Sequence, residues 1–413
     1  MSYILALNCG SSTLKYQVFD TDSRQLVLGG NVEKIGETGS FINQKYSDGT
    51  KQKKETEIKN HLEALNLVMF MLREASIDLN EIAGVGHRVV HGGEKFASSV
   101  EITDEVIKTI EELSPLAPLH NPANLVGIVA AKQSLPNARQ VAIFDTAFHQ
   151  TMPDFAYRYA VPNAWYKELG VRRYGFHGTS HLYVSKRAAK MLGKPASECN
   201  LITLHIGSGA SAAAIRGGRS VDTSLGLTPL SGLTMGTRPG DLDPGVILYV
   251  MEQLGLPPAD MQTWLNKKSG LLGITECHND HRDIESNIGN DACKLALNIE
   301  IHNLKKYIGS YLAELGQIDA IVFTAGVGEN DNIIRAGATS GLEELGIKMD
   351  QAKNAETFVF KGAGETDLSA ADSKVKILMI PTNEELVIVE DTIAIINGTY
   401  NPNHLDMDYS FAK

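Results

Sequence analysis

A glycine turn near the start of the sequence concentrates several polar side chains. The turn runs from Asn8 to Thr13 and is followed by Lys15, with apolar runs on both sides. The hydroxyls of Ser11, Ser12 and Thr13, together with backbone N–H groups, can hold phosphate oxygens. The spacing differs from the P-loop pattern G-x-x-x-x-G-K-[ST], and no G-x-G-x-x-G follows. The turn therefore predicts a phosphate site of a different kind.

A similar arrangement recurs near mid-chain. In LHIGSGASAAAIR, an apolar run carrying His205 leads into Gly207, Ser208 and Gly209, and a second apolar run follows. One such turn is common in ordinary β-hairpins, but the pair indicates two domains of similar plan. A third glycine turn, in IVFTAGVGEN, ends an apolar strand and opens onto a predicted helix.

Two arginines lie in surroundings that suit an anionic ligand. Arg88 interrupts the apolar run GVGHRVVHGG, and Arg238 lies between glycines in MGTRPG. A guanidinium group can hold a carboxylate or phosphate through two parallel N–H donors. Either arginine alone could form a structural ion pair instead, whereas the two together favour an anionic substrate.

Histidines and isolated carboxylates complete the set of candidate groups. His120 lies in a proline-flanked loop, and His177 precedes a predicted helix. Asp145 ends an apolar strand, where an acid can position substrate or metal. Glu384 and Glu385 begin a predicted helix, where either one of them holds Mg²⁺ or their charges complement the helix dipole. Phosphate turns, arginines and carboxylates together predict phosphoryl transfer, which depends on positioning and charge neutralisation.

Patterns for other chemistry are weaker. His177 and His181 have the i, i+4 spacing of zinc ligands but lack the glutamate of H-E-x-x-H. The stretch Glu276 to Asp283, ECHNDHRD, contains metal-ligand residue types but is interpreted as a polar loop. GFHGTS does not match a nucleophile elbow.

Length and composition favour a two-domain globular enzyme. The chain has 413 residues, of which 43% are hydrophobic and 21% charged, and this length exceeds one ordinary core. A net charge of −11 argues against a nucleic-acid or anionic-membrane partner. The opening apolar run is too short for a signal segment, and no stretch reaches the roughly 18 apolar residues of a membrane span. The 4 cysteines show no C-x-x-C spacing, which fits a reducing cytoplasm.

The elements that carry these groups can be placed in outline. Strands are predicted on both sides of the first two glycine turns, and a helix over residues 60–76. Residues 46–56 are interpreted as a solvated loop. Another helix is predicted to begin near Thr179 or Ser180, either of which could cap it, and to stop at Gly193. A change of composition around Pro153 marks a candidate domain junction.

The motifs, taken in order along essentially the whole chain, closely resemble the acetate kinase family. They are NCGSSTLKYQVFD, GHRVVHGGEKF, PLAPLHNP, FDTAFHQTMP, RRYGFHGTSH, MGTRPGDLDPG, FTAGVGEN and PTNEEL. The resemblance implies a two-domain α/β fold of the actin-like ATPase type (ribonuclease H-like), duplicated around an interdomain active-site cleft. The implied domains are residues 1–148 with 386–413, and residues 149–385, which carry the nucleotide pocket.

The resemblance also implies an activity. It is reversible, Mg²⁺-dependent phosphoryl transfer from ATP to acetate, giving acetyl phosphate and ADP by direct in-line transfer. Mn²⁺ is an alternative ion, and the expected assembly is a cytoplasmic homodimer. No nucleic-acid or membrane partner is expected.

Residue roles follow from the family motifs. Arg88 and Arg238 are implied to bind the acyl carboxylate and the transferring phosphoryl group, and His177 to hydrogen-bond that group. Asp145 is implied to lie near the reacting oxygens. Because a carboxylate substrate is already ionised at neutral pH, Asp145 is assigned to positioning and metal support rather than to proton abstraction.

The remaining implied residues fall into four groups. The metal residues are Asn8 and Glu384. The phosphate-binding residues are Asn8, Ser11, Ser12, Thr13, Lys15, His120, His205, Gly207, Ser208 and Gly209. The acyl pocket is formed by Val90, Leu119, Phe176 and Pro229. The nucleotide-binding residues are Asp280, Arg282, Gly326, Val327, Gly328 and Asn330.

The sequence departs from the family pattern in several places. Ser208 stands where asparagine is expected, and its shorter side chain loses reach toward the phosphates, which leaves a pyrophosphate-dependent variant open. Ser231, Pro239 and His281 also differ from the usual residues. The small residues of the AGVG turn favour an open adenosine pocket, and hence ATP.

Three further alternatives differ in substrate. A propionate or other short-chain acyl kinase shares the fold, and one methylene in an apolar pocket is worth only roughly 1–3 kcal/mol. An actin- or chaperone-like ATPase is disfavoured by the two arginines. A sugar kinase would need a base acting on a neutral hydroxyl.

Overall fold

The computed structural model describes residues 2–413, which form two compact units. Unit 1 comprises the chain up to Gln150 together with Asn383–Ser410, and unit 2 comprises Thr151–Thr382 with Phe411–Lys413. The chain therefore changes unit two residues later than the implied boundary at 148 and returns three residues earlier than 386. It also places Phe411–Lys413 in unit 2, whereas the sequence assigned these residues to the N-terminal domain.

The elements are numbered along the chain. The strands are β1 (Tyr3–Cys9), β2 (Thr13–Asp20), β3 (Leu26–Glu33), β4 (Phe41–Tyr46), β5 (Lys51–Glu55), β6 (Ile82–Val89), β7 (Val100–Glu101), β8 (Arg139–Phe144), β9 (Asn200–Ile206), β10 (Ala210–Arg216), β11 (Arg219–Thr223), β12 (Ala320–Thr324), β13 (Thr366–Asp367) and β14 (Lys376–Met379). The helices are α1 (His61–Glu74), α2 (Asp104–Glu112), α3 (Asn121–Ser134), α4 (Asp154–Tyr157), α5 (Asn163–Leu169), α6 (Gly178–Leu192), α7 (Pro244–Leu254), α8 (Pro258–Lys267), α9 (Gly270–Thr275), α10 (His281–Ser286), α11 (Asp291–Leu315), α12 (Ala325–Asn330), α13 (Asn332–Thr339), α14 (Gln351–Glu356) and α15 (Glu384–Asn397). Short 3₁₀ turns occur at Leu79–Glu81, Ser114–Leu116, Ala147–Thr151, Ala196–Glu198, Glu343–Leu345, Val359–Lys361 and Ser410–Ala412.

Unit 1 is built on an eight-stranded sheet of order β5-β4-β3-β2-β1-β6-β8-β7. Strands β1 to β5 form an antiparallel meander. Strands β6 and β8 are parallel to β1, and the short β7 closes the edge antiparallel to β8.

Alternation along β1 divides the core of unit 1 between the two faces of the sheet. Leu5 and Leu7 pack with Leu65 and other residues of α1 on one face. Ile4 and Ala6 pack with Ile388 and further residues of α15 on the other. Because successive side chains of a strand point to opposite faces, Asn8 at the end of β1 lies on the face that α15 covers.

Unit 2 repeats the plan on a six-stranded sheet of order β11-β10-β9-β12-β14-β13. Strands β9, β10 and β11 form an antiparallel meander, and β12 and β14 run parallel to β9. Helix α6 packs against β9 and β12, and the long α11 packs against β9 and β10. Both units thus combine an antiparallel meander with two further strands parallel to its first strand, which is the duplication that the paired turns predicted.

Several local predictions can be compared with the elements. The helix predicted over 60–76 is confirmed as α1, whose N-cap is the side chain of Asn60. Residues 46–56 are not simply a loop, because Lys51–Glu55 form the fully exposed edge strand β5. The helix expected to be capped by Thr179 or Ser180 instead begins at Gly178, with His177 at the N-cap in a left-handed conformation (φ 57°). Gly193 ends that helix as predicted. Among residues 2–413, no helix is both long and apolar enough to cross a membrane.

Candidate active site

Arg88 and Asp145 form a bidentate ion pair in unit 1. Arg88 lies near the end of β6, and Asp145 directly follows the adjacent parallel strand β8. The Arg88 Nε and Nη2 groups donate to Asp145 Oδ1 and Oδ2 at 2.8 and 2.5 Å. The Asp145 side chain is only 1% exposed, whereas that of Arg88 is 22% exposed. Both oxygens of the acid therefore face the guanidinium group, and Arg88 retains the surface that a ligand can reach.

The charges around this pair keep Arg88 cationic. Burial opposes the charged guanidinium group, but Asp145 and then Glu384 outweigh it and raise the pKa of Arg88. Burial also raises the pKa of Asp145, whereas the two hydrogen bonds from Arg88 oppose that rise and favour the carboxylate form. In this arrangement, Asp145 holds the Arg88 guanidinium group in place, and the exposed part of that group can bind an anion.

Helix α15 brings two glutamates close to the Arg88–Asp145 pair. Its N-cap is Asn383, and Glu384 and Glu385 form its first turn. A Cβ atom on Gly86 of β6 would lie 2.5 Å from both Ile388 and Thr392, so the glycine lets α15 approach the sheet closely. That approach sets where the first turn of α15 lies relative to Arg88.

Arg88 and both glutamates line a cavity of about 680 Å³ in unit 1. Its lining includes Asn8, Lys15, Arg88, Glu384 and Glu385. Burial raises the pKa of Glu385. Amide and carboxylate oxygens beside a cationic arginine can hold both a hard metal ion and an anionic substrate.

Other predicted residues of unit 1 are not among those that line this cavity. Ser11 is exposed in the turn before β2, and Gly10 N–H closes that turn by donating to Thr13 O at 2.8 Å. His120 occupies the N-cap position of α3. Val90 is 8% exposed, whereas Leu119 is 54% exposed.

Two asparagines that the sequence did not single out fix the strand ends of unit 1. Asn124 Nδ2 donates to Cys9 O at 2.8 Å, and its Oδ1 accepts from Val90 N–H at 3.1 Å. Asn121 holds the backbone of His91 in a similar way: its Oδ1 accepts from His91 N–H at 3.1 Å, and its Nδ2 donates to His91 O at 3.0 Å. Both asparagines lie in the first turn of α3. In the sequence, the only feature that could have pointed to their role is the Asn-Pro-Ala-Asn segment after His120.

A histidine cluster occupies the corresponding part of unit 2. The rings of His177 and His205 stack with their centroids 4.1 Å apart. Ser211 Oγ lies 2.9 Å from His177 Nδ1 and 2.8 Å from His181 Nε2. The other ring nitrogen of His181 is hydrogen-bonded to Thr203 at 2.7 Å. These contacts make His177 and His181 members of a hydrogen-bonded cluster and account for their spacing without zinc.

Arg238 approaches the second phosphate turn directly. A Cβ atom on Gly209 would lie 2.6 Å from Arg238 Nη2 and 3.6 Å from the His177 ring, so only glycine lets the arginine come this close. Arg238 Nη1 donates to Pro229 O at 2.7 Å. Burial lowers the pKa of Arg238, which means that an anion in this place would stabilise its charged form. Phe176, next to His177, is 3% exposed.

A second cavity, of about 750 Å³, lies within unit 2. The predicted residues that line it are Gly207, Ser208, Asp280, Arg282, Gly326, Val327 and Asn330. Gly328 is different, because it is buried in α12 against the backbone of Phe323. Asn330 holds one wall together, since its Nδ2 donates to Gly326 O and its Oδ1 accepts from Phe360 N–H, both at 3.0 Å.

At its polar wall, Asp280 caps α10 and pairs with Arg282. Arg282 Nε and Nη2 donate to the two Asp280 oxygens at 2.9 and 2.6 Å. These bonds lower the pKa of Asp280 to about 2. The pair keeps one carboxylate and one guanidinium group at the mouth of the cavity.

The ECHNDHRD stretch is not the plain polar loop that the sequence indicated. His281 is buried, with Nδ1 at 3.0 Å from Asp331 Oδ2 and Nε2 at 3.2 Å from Glu300 Oε2. Although burial opposes the imidazolium, Glu300 and Asp331 raise the pKa of His281 to about 10. The contributing residues are far apart in sequence, so the pattern gave no signal for this ion network.

Comparison with known proteins gives one consistent result. A family model described as "Acetokinase family" matches residues 3–390. An acetate kinase from Geobacter sulfurreducens is 52% identical over 416 aligned positions, covering 99% of this chain and 98% of the relative. The crystal structure of Porphyromonas gingivalis acetate kinase matches with a TM-score of 0.91 and 46% identity, covering 96% and 100% of the two chains. A propionate kinase structure from Francisella tularensis matches with a TM-score of 0.88 and 40% identity, covering 96% and 99%.

These matches extend over nearly the whole chain and agree with the duplicated sheet plan. Acetate kinase structures have the duplicated actin-like ATPase fold, so the predicted fold class is confirmed. The chain belongs to the acetokinase family.

Proposed function

We propose that this protein transfers a phosphoryl group reversibly between ATP and acetate, giving acetyl phosphate and ADP. The observation that carries the proposal is the cavity of unit 1, where Arg88, fixed by Asp145, lies with Asn8 and two glutamates. Family membership and the names of its relatives support acetate kinase activity. The acceptor needs no general base, because acetate is ionised at neutral pH.

The residues of each unit have distinct roles in this proposal. In unit 1, Arg88 receives the acetate carboxylate, and Asp145 acts through Arg88 by holding its guanidinium group. In unit 2, the Gly207 N–H closes the second phosphate turn by donating to Gly209 O, and the N–H groups of Ser208 and Gly209 hold phosphate oxygens. Arg238 and His177, which flank that turn, neutralise the charge of the transferring group. Val90, Leu119, Phe176 and Pro229 remain the predicted acyl pocket.

Mg²⁺ fits the donor set of unit 1. The cavity offers an amide oxygen from Asn8 and carboxylate oxygens from Glu384 and Glu385, and hard cations prefer such ligands. Asn8 and Glu384 would hold the ion, with Mn²⁺ as an alternative. When bound, the ion neutralises charge on the phosphate oxygens. Lys15, which lines the same cavity, adds a further positive charge.

Acyl phosphate trapping with hydroxylamine tests the proposal. The purified protein is incubated with acetate, Mg²⁺ and either ATP or pyrophosphate, and the hydroxamate is measured. We expect product with ATP. Product with pyrophosphate alone would refute the nucleotide assignment while keeping the acyl site, and no product with either donor would refute the activity.

Propionate is the second candidate acceptor. The support is the Francisella tularensis propionate kinase structure, which is 40% identical to this chain. Ranking kcat/KM for acetate, propionate and butyrate decides between them, since a methylene changes the ratio by roughly 10–200-fold.

We further propose a homodimer in the cytoplasm. Family membership supports this assembly, and light scattering after size exclusion measures it. A mass of one chain, 44.8 kDa, would contradict it.

A further inference from the structure

The lining of the unit 2 cavity includes a group of acids that the proposed reaction does not use. Glu285 lies on α10 one turn after His281, and Asp331 caps α13. Both acids and His281 line the cavity. Ligand-type atoms of these three side chains all lie within 4.8 Å of one another. His281 is already engaged on both ring nitrogens by carboxylates, so the group is an ion-pair network.

Asp331 is the acid whose oxygens are already occupied. Its Oδ1 accepts from the backbone N–H groups of Ile333 and Ile334, both at 2.9 Å. Its Oδ2 faces His281 Nδ1. Three donors favour the ionised form, so Asp331 is the carboxylate of the pair.

Glu285 is then the acid that carries a proton. Two carboxyl groups this close in a half-buried place share one proton rather than both ionising. Burial and the neighbouring Asp331 raise the pKa of Glu285 to about 8. Its O–H donates to Asp331, which leaves its second oxygen as a hydrogen-bond acceptor in the wall of the cavity. Neither ionisation state of Glu285 removes that acceptor.

The position of this acceptor within the cavity indicates what it would contact. The phosphate turn, Gly207 and Ser208, forms one part of the lining. Elsewhere in the lining, Asn330 Oδ1 accepts from the N–H of the 71% exposed Phe360, whose ring can stack on a base. Glu285 lies beside Asp331, the residue that follows Asn330. A nucleotide bound with its phosphates at the turn would bring its base to these residues.

We propose that Glu285 is a specificity-determining residue that accepts a hydrogen bond from the exocyclic amine of adenine. This inference rests on the proposed function, since it names which nucleotide the kinase selects. Adenine presents an amine at the 6-position, whereas hypoxanthine and guanine present an oxygen there. With those bases, two acceptors would face each other in a partly buried place, which is unfavourable.

The test compares ATP with inosine triphosphate, which differs from ATP at the 6-position. For the unaltered protein we expect kcat/KM to favour ATP by at least about 10-fold, the scale of one hydrogen bond to a partly buried group. Glu285→Leu removes the acceptor and should reduce the ratio to within about 3-fold of unity, mainly by raising the KM for ATP. The KM for acetate should not change.

Two variants control the interpretation. In Glu285→Gln, the amide N–H donates to Asp331 and the carbonyl remains as the acceptor, so the preference for ATP should be kept. Asp283→Asn replaces another acid of the same helix by its amide, at an exposed position, and should also keep the preference. If Glu285→Leu retains the full preference, or if Asp283→Asn loses it equally, the inference is wrong.

Direct binding separates this inference from the proposed function and does not depend on a variant that folds. Calorimetric titration of the unaltered protein with ADP and with inosine diphosphate should give tighter ADP binding by a similar factor. Equal affinities would overturn the role of Glu285, whatever the activity. Absence of hydroxamate with every donor, combined with a clear ADP preference, would refute the kinase reaction alone.

Discussion

Replacing Asp145 with asparagine tests how Arg88 is positioned. The wild-type carboxylate accepts from Arg88 Nε at 2.8 Å and from Nη2 at 2.5 Å. An asparagine offers one oxygen, and its NH₂ group would face a guanidinium donor. One of the two bonds is therefore lost, and the guanidinium group can rotate away from the orientation in which it meets acetate.

The expected size of the effect follows from the type of bond. A hydrogen bond to a charged group contributes about 1.5–3 kcal/mol. That corresponds to a decrease in kcat/KM for acetate of roughly 10- to 150-fold, since about 1.4 kcal/mol is tenfold. The KM for ATP should change little, because the cavity proposed to hold the nucleotide is lined by residues of unit 2.

A matched control exists on the same strand. Arg139 of β8 forms the same two-bond pair with Glu101, but at the surface, with side chains 40% and 43% exposed. Glu101→Gln removes an equivalent bond away from the cavity, and exposed pairs contribute little. Its kinetics should match those of the unaltered protein, and thermal unfolding of both variants would show whether Asp145→Asn also loosens the fold.

A double-mutant cycle with Arg88→Lys decides the mechanism. If Asp145 acts by holding Arg88, then Asp145→Asn should add little to the defect of Arg88→Lys, because lysine cannot form the two-bond pair. Fully additive defects would mean that Asp145 contributes independently of Arg88, for example at the metal. A kcat/KM for Asp145→Asn within about twofold of the unaltered protein would refute the positioning argument altogether.

Three further outcomes are expected. Ser208→Asn should lower the KM for ATP and leave that for acetate unchanged, since the longer amide reaches further toward the phosphates; an unchanged or higher ATP KM in steady-state assays would contradict this. Glu384→Gln should raise the Mg²⁺ concentration needed for half-maximal rate by about tenfold or more, and an unchanged Mg²⁺ titration would remove Glu384 from the metal site. His281, with its pKa raised from 6.5 to about 10, stabilises the fold fully below pH 6.5 and loses this contribution as the pH rises toward 10. The loss should not exceed about 5 kcal/mol. From pH 7 to 10, the free energy of unfolding should fall more steeply for the unaltered protein than for the double variant His281→Phe, Glu300→Leu. Equal slopes would refute this role of His281.

Much of the fold was predictable because its signals are local. The apolar runs on either side of the turns at Gly10 and Gly207 indicated paired strands, and their repetition indicated two units of similar plan. Helix α1 could be placed to within two residues from its apolar residues alone, and the structure adds that Asn60 caps it. Lys51–Glu55 was missed as a strand because the segment is fully exposed, so it carries no alternation of apolar and polar residues.

The sequence by itself determined which residue types could do phosphoryl chemistry, together with their order along the chain. Arg88, Asp145 and Glu384 were all identified from their local surroundings. Their pairing was not, because it depends on the lateral order of β1, β6 and β8 and on the close approach of α15 over Gly86. Only the tertiary structure showed that both oxygens of Asp145 are engaged by Arg88.

The buried network of unit 2 shows the same limit more sharply. His281, Glu300 and Asp331 lie on or beside three different helices, α10, α11 and α13. Each looks like a surface residue in its own segment, since a single charged side chain gives no periodic pattern. The packing of these helices brings them within hydrogen-bond distance, and burial then strengthens their mutual attraction. Tertiary structure decided this network because the interaction energies that define it exist only between segments far apart in the sequence.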